Sequence, residues 1–383
     1  MDCSVVDNFT VKGYTATFVK QDTVLRHTIY RLNHPVLPGD SLQCMIRGRL
    51  HCQGFTNGDS QKELTFNGSF LSHNILPFFG YDDRRELKSN QYRPQYGLQK
   101  LASRLPDTTD QLASRQLFAS TQANTINYTF TISTSAGQMV VAPGLLQKEW
   151  QSGRRQYFRF VNQAPALFDF SILSARYAVK RKRVDIAGQP VDIEVYYHPG
   201  HSWNTDHFIT SAKEALAYLD TVLGRYPYTV LRIAERSYYD EALYAYGNVI
   251  TLPENHGWTA DIRRQEDLDY LHYSTTRLIA EQYMKQANIS RTQGYPVITR
   301  SIPGYLAIQE LNHFYGEAAL QKRLGKNHDT YLKGRAKEEN TEPVLMQSDE
   351  EADYVSEQKG SYALYQLSRL AGAQRVNGRS PLF

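Results

Sequence analysis

Eleven histidines and 39 acidic residues are available for metal or acid–base chemistry in this chain of 383 residues. The histidines are His27, His34, His51, His73, His198, His201, His207, His256, His272, His313 and His328. A zinc hydrolase needs lone pairs from imidazole, thiolate or carboxylate at fixed spacing, most compactly as His-Glu-x-x-His on one helix face. That pattern does not occur. A Gly-x-Ser-x-Gly nucleophile turn, a Gly-x-x-x-x-Gly-Lys phosphate loop and a Gly-x-Gly-x-x-Gly dinucleotide loop are also missing. His198 and His201 form His-x-x-His, but Pro199-Gly200 between them makes a turn, and two polar rings on a loop are the commoner meaning of such a pair. Cys3, Cys44 and Cys52 contain no Cys-x-x-Cys pair, which argues against a cysteine zinc site. Cys44 and Cys52 flank a short segment in a strand-rich region and are placed to face each other. Motif reading by itself finds no catalytic centre.

The bulk properties exclude some classes. The chain is 41% hydrophobic and 21% charged, ordinary for a globular protein of two or three domains. A net charge of +4 is small for this length, and the runs Lys180–Arg183 and Arg84-Arg85 are isolated, so no nucleic-acid partner is expected. Such a short basic run reads as a solvated strand end or turn. No apolar run reaches the ~18 residues that would span a membrane. The start, Met-Asp-Cys-Ser-Val-Val-Asp, lacks the basic and apolar regions of a signal peptide. A strand pattern begins almost at once, which fits a domain of a longer protein.

The elements that would position any site divide in two. Twenty-seven tyrosines suit half-buried strand faces. Thr10–Lys20, Arg26–Arg31, Leu42–Leu50, Tyr128–Ser133, Arg155–Phe160, Phe168–Tyr177 and Val191–Tyr197 alternate or are β-branched and aromatic. Asn57-Gly58 and Asn67-Gly68 punctuate them. Residues 82–126 read as a long polar connection with a helical piece near Leu98–Arg104. Residues 1–195 are therefore expected to be a β-sandwich-like domain. From 196 to 383 the period changes. Phe208 to Leu223 follows helical spacing and Gly224 closes it. Strands are expected at Thr229–Ala234 and Gly247–Leu252. Helices are expected at Glu266–Asn288, Ile302–Tyr315, Glu317–Leu324, Asp329–Lys337 and Gly360–Ala371. The class is α+β.

Several segments carry a resemblance. Gln138–Trp150, Gly153–Phe158 and Leu173–Tyr177 resemble the strands that precede the catalytic domain of the M1 (gluzincin) aminopeptidases, and Tyr196–His201 resembles the entry to it. Leu252-Pro-Glu-Asn-His-Gly257 is similar to that family's Gly-x-Met-Glu-Asn strand. Tyr315-Gly316, Tyr331–Arg335 and Lys359–Tyr365 continue the register. In particular, the chain resembles the M1-like domains attached to ABC-type permeases of the Bacteroidetes kind. The resemblance implies a saddle-like N-terminal β domain and a thermolysin-like α/β domain with a helical C-terminal part. In its register Arg277 and Glu281 stand where the family has its two zinc histidines, and Leu278 where it has the general-base Glu. Arg300 takes the place of the third zinc ligand and Glu357 that of the transition-state Tyr, with Tyr354 nearby. Glu254 and Asn255 match the Glu and Asn that meet a substrate's amine; without the resemblance they read as a solvated turn. Tyr238, Tyr239, Tyr244 and Tyr246 either line the same cleft or belong to the core.

An arginine guanidinium only donates and stays charged, and leucine accepts no proton. The resemblance therefore implies a pseudoenzyme: no catalytic residues, no metal, a peptide ligand in the cleft, and a scaffolding or binding role in an extracytoplasmic (periplasmic) part of a transporter-associated membrane protein. Arg277, Glu281 and Arg300 are expected to form an ion triad in place of the metal; the plain alternative is an exposed i,i+4 pair. The rival function is an active metallopeptidase with a displaced zinc site, for example His272, Glu281 and a histidine of the 198–207 loop. A purely structural domain with a plugged cleft is the third reading.

Overall fold

The structure is a computed structural model that describes residues 3–22, 27–37, 39–51, 63–76, 87, 92–100, 105–118, 125–239, 242–338, 341–349 and 352–377. The turn expected at Asn57-Gly58, the pairing of Cys44 with Cys52, the run Arg84-Arg85 and most of the helical piece near Leu98–Arg104 lie outside those residues; 98–100 are irregular.

The N-terminal part is built of small antiparallel sheets. β1 (Cys3–Val11) pairs with β4 (Cys44–His51), and β2 (Ala16–Asp22) with β3 (His27–Leu32). The pattern read as one strand over Thr10–Lys20 is thus two, broken by a turn at Gly13, whose φ of 81° suits glycine. β5 (Leu64–Thr65), β6 (Gly68–Ser72), β8 (Met139–Val141) and β11 (Ser171–Ala175) form a second layer in the order β5-β6-β11-β8. β7 (Thr129–Ser135), β10 (Arg155–Val161) and β9 (Leu145–Ser152) form a third sheet in the order β7-β10-β9. Val140, Ala142, Phe158 and Phe160 make one core of this region.

The second part is organised by a five-stranded sheet in the order β12-β13-β14-β16-β15. Its strands are β12 (Ala178–Ile186), β13 (Gln189–Tyr197), β14 (Val230–Arg236), β15 (Tyr244–Tyr246) and β16 (Val249–Pro253). β13, β14 and β16 run parallel, and the two outer strands are antiparallel. The boundary expected at 195/196 falls inside β13, so this sheet starts earlier than the change of period suggested. Lys180–Arg183 is not a turn or strand end but the middle of β12, where Arg181 pairs with Glu194 and Arg183 with Asp192 across to β13. β14 and β16 are buried along almost their whole length, as parallel strands covered on both faces are.

Helix α1 (Thr205–Leu223) buries Phe208, Ala212, Ala215, Leu216 and Leu219 against this sheet, and Gly224 closes it at φ 89°. α2 (Gln265–Met284) is buried on nearly every side from Leu271 onward, the pattern of a helix inside a core. It ends at Met284, four residues before the expected Asn288. α3 (Ile302–Lys337) joins three expected helices, with one break at Gly316 (φ 78°, ψ 179°). α4 (Gly360–Ala371) matches its expected bounds and is followed by the short α5 (Ala373–Val376). Single π-helical turns at Val297–Ser301 and Tyr354–Lys359 lead into α3 and α4. Among the described residues no helix is long and apolar enough to cross a membrane.

Candidate functional site

Two side-chain clusters stand out, and they differ in chemistry. The first gathers on α2 and the two π turns. Arg277 is buried at 7% exposure, and Leu278 beside it is fully buried in the main core. One turn on, Glu281 lies 3.6 Å from Arg277 Nη1. Glu357, on the second π turn, lies 3.7 Å from Arg277 Nε and 4.0 Å from Arg300 Nη1. Lys285 extends the network: its Nζ is 3.7 Å from Glu281 and 2.5 Å from Asp169, and it donates to the carbonyl of Ala245 at 2.5 Å. The Lys285 ammonium also sits 5.6 Å from the centre of the Tyr246 ring. Burial works to lower the pKa of Arg277, but Glu357 and Glu281 outweigh it and hold the guanidinium more firmly charged. Arg300 shows the same balance, with Asp353, Glu281 and Glu357 overriding burial. Lys285 is likewise raised, by Asp169 and Glu281 against burial.

The expected triad is therefore real in part and wrong in detail. Arg277 does meet Glu281, but among the described residues Arg300 forms its ion pair with Glu357, which bridges both arginines, while Asp353 and Glu281 act on it at longer range. Sequence reasoning named Arg277, Glu281, Arg300 and Glu357 and missed Lys285, Asp169 and Asp353; Asp169 and Asp353 arrive from distant segments, whereas Lys285, one turn beyond Glu281, was readable from i,i+4 spacing. The reason Arg300 and Glu357 meet is the close approach of α3 and α4. A Cβ on Gly360 would collide with Ser301 Oγ, and one on Gly304 with Ser361 Oγ. Ser301 Oγ donates to the carbonyl of Ser356. Arg300 and Glu357 both lie on π turns at that junction, a feature frequent at functional sites, with Glu357 the more buried of the two. Tyr354 is turned elsewhere, donating to Glu338 at 3.3 Å, with its phenol pushed up to about 12 by burial and by Glu338.

The second cluster sits at the carboxyl ends of the three parallel strands. β13 leads into His198–His201, β14 carries Glu235, and Glu254 follows β16 directly. Glu235 is fully buried as a side chain. Its Oε1 is 2.5 Å from His201 Nδ1, and its Oε2 accepts the backbone N–H of His198 at 2.7 Å. His201 Nε2 faces Glu254 Oε1 at 3.6 Å. Burial pushes the Glu235 carboxyl up to about 7; the hydrogen bonds from His198 and His201 only partly oppose this, and the Glu254 charge adds to it. His198 is lowered by burial and by its neighbour His201. Among the described residues His201, Glu235 and Glu254 are the one group of this kind whose ligand atoms all lie within 4.8 Å of one another. Asn255 is exposed beside Glu254, as are Tyr238 and Tyr239, while Tyr244 stacks on Tyr246 at 5.5 Å. Glu235 was missed in the sequence, though its place at the end of a strand parallel to the one before Glu254 was a usable signal.

The displaced metal site expected from His272, Glu281 and a loop histidine is not formed. His272 is fully buried between α1, α2 and α3, bonded through Nε2 to Glu310 and through Nδ1 to Ser211 at 3.2 Å. Glu281 belongs to the arginine network and His201 to the strand-end cluster, so the three residues fall into three separate groups.

No protein-family model matches the sequence, and no curated protein is detectably similar to it. Solved structures do match. A two-domain M1 zinc metallopeptidase mutant bound to L-arginine superposes with a TM-score of 0.61 at 14% identity, covering 98% of this chain and 74% of that one. The M1 zinc metallopeptidase from Deinococcus radiodurans gives 0.60 at 13% identity, covering 98% and 74%. Legionella pneumophila aminopeptidase A in complex with aspartic acid gives 0.59 at 12% identity, covering 98% of this chain and 40% of that one. At such identities the likeness is one of architecture: this chain has the fold of the M1 zinc metallopeptidases, with a strand-rich N-terminal part and a helical C-terminal part.

Proposed function

We propose that this chain is a non-catalytic M1 aminopeptidase-like domain, a peptide-binding or scaffolding module of a larger transporter-associated membrane protein on the extracytoplasmic side. The observation that supports it is the buried ionic network. In the M1 register, Arg277, Glu281 and Arg300 stand at the three zinc-ligand positions, and they converge in space with Glu357. Zinc does not fit this set. Two of the three positions are guanidiniums, which offer no lone pair and repel a dication. Leu278, at the general-base position, takes no proton from water. At these positions the chain has no residue set to hold the Lewis acid of a hydrolytic step and none to act as its base. The carboxylates instead neutralise fixed cations, which hold α2, α3 and α4 together as a metal would.

Peptide binding rests on Glu254 and Asn255, which match the amine-binding residues of the M1 strand. Glu254 is partly exposed at the strand ends, where open parallel sheets commonly receive ligands. The rival reading, an active M1-type metallopeptidase with a displaced or atypical zinc site, would have to draw its donors from outside α2.

One assay separates the two. Purified protein is given a panel of aminoacyl reporters and short peptides, with zinc added or with chelator. The proposal expects no chelator-sensitive hydrolysis, and weak peptide binding that Glu254→Gln abolishes. Turnover that chelator removes and zinc restores would overturn it.

A further inference from the structure

We infer that His201, Glu235 and Glu254 form a binding site for a divalent first-row transition metal, with Zn2+ the ion best suited to one imidazole and two carboxylates. This site is separate from the α2 positions but shares Glu254 with the proposed peptide site, so His201→Ala, which leaves Glu254 and Asn255 in place, distinguishes loss of the metal from loss of the peptide.

Convergence is the first argument. The three residues lie far apart in sequence, yet β13, β14 and β16 deliver them to one end of a parallel sheet. Their ligand atoms lie within 4.8 Å of one another, and the His201 Nε2 to Glu254 Oε1 separation is 3.6 Å. Four donors at about 2.1 Å from a tetrahedral ion are about 3.4 Å apart; Glu235 now meets Nδ1 and Glu254 meets Nε2 of His201, so closing the site takes a side-chain rotation that turns one ring nitrogen and both carboxylates toward the same point.

Charge is the second argument. Two carboxylates face one imidazole, and one of them, Glu235, has no exposed side-chain surface. Among the described residues no arginine or lysine forms an ion pair with either carboxylate, in contrast to the α2 network where each acid has a fixed cation. A buried carboxylate without a cation either keeps a proton or takes a metal. A metal binds a ring nitrogen and carboxylates only in their unprotonated forms, so any proton held between these ligands would be released to solvent on binding.

Preparation and access complete the case. The His198 N–H fixes one Glu235 oxygen, and the Tyr177 hydroxyl donates to the Glu235 carbonyl at 2.6 Å, so the buried ligand is oriented before any ion arrives. His201 and Glu254 are 22% and 29% exposed as side chains, which leaves a path for the ion and room for water in the remaining coordination positions.

The full chain, purified without a histidine tag and stripped with chelator, is titrated with ZnCl2 by calorimetry and with CoCl2 by visible absorption. The expected result is about one ion per chain, proton release on binding, and the intense absorption of low-coordinate Co2+. His201→Ala and Glu254→Gln are each expected to weaken binding by about tenfold or more. Should His201→Ala fail to fold, the isosteric and partly exposed Glu254→Gln decides by itself. No binding to the wild-type chain, or equal binding by Glu254→Gln, would overturn the inference and leave the cluster a hydrogen-bonded Glu-His-Glu relay. Metal binding without peptide hydrolysis supports the site and leaves the non-catalytic reading in place. Binding together with hydrolysis, both lost in the same variants, supports the site and overturns the non-catalytic reading.

Discussion

The α2 network and the strand-end cluster both bring ionisable groups together in the protein, but they reach electrical balance by different routes. In the first, Arg277, Lys285 and Arg300 stand among Glu281, Glu357, Asp169 and Asp353, so permanent cations do the neutralising. In the second, two glutamates meet one histidine, a residue whose charge depends on its proton. A closed set of fixed charges resists change and serves as an internal clamp. A set with surplus lone pairs stays responsive to protons and metal ions. The difference between clamp and receptor thus comes from whether the cation is built into the chain.

That comparison breaks most visibly where a clamp member is removed. Glu357→Ala strips two arginines of their shared carboxylate and is expected to cost roughly 3–5 kcal/mol in urea unfolding. Arg277→Met, which replaces a buried ion with an apolar chain of similar length, should cost clearly less. Equal losses for the two would mean that packing, and not charge pairing, dominates at this junction. On the receptor side, zinc at a hundredfold above its Kd should stabilise the wild type by about 2.7 kcal/mol, read as a rise in Tm, and leave His201→Ala unmoved. Gly360→Ala drives a methyl into Ser301 and is expected to cost about 2 kcal/mol while separating Arg300 from Glu357. A neutral outcome would show that α3 and α4 can part without disturbing the clamp.

The smallest effect concerns Glu310, which belongs to neither cluster and tests whether buried acids elsewhere follow the same rule. Burial, only partly offset by His272, raises its carboxyl above the ordinary value of 4.5. The folded state then holds the proton more tightly than the unfolded state. Its contribution is full below about 4.5 and is lost as pH climbs through the raised value. Glu310→Gln, which mimics the protonated acid, should flatten the fall in stability that sets in as pH rises above about 4.5. An unchanged slope would assign that fall to other groups.

Much of this was legible in the residues. Helix α4, the start of α2, the break at Tyr315-Gly316 and the strands at 155–161 and 189–197 follow directly from periodicity and glycine placement. Other features were hidden for identifiable reasons. β12 was masked because Lys180–Arg183 looks like a solvated run; its charges are tolerated there because Arg181 and Arg183 find partners on β13. The helices of 317–337 read as two because their apolar positions are sparse, whereas the chain stays helical there with only Ala319, Leu320, Leu324 and Asn327 buried, most of the buried residues of α3 lying before the break at Gly316.

The sequence by itself determined the kinds of group available: Arg277, Leu278 and Arg300 in the segments that resemble an M1 zinc site, and a Glu-Asn pair after a buried strand. Those are properties of single residues and of short spacing, which a linear chain carries intact. Only the tertiary structure decided which groups meet. Arg300 pairs with Glu357 because two π turns and a glycine-lined helix contact bring distant segments together. His201, Glu235 and Glu254 meet because three parallel strands end side by side. Electrostatic and coordination energies depend on separations of a few ångströms between residues tens of positions apart, and folding alone fixes those separations.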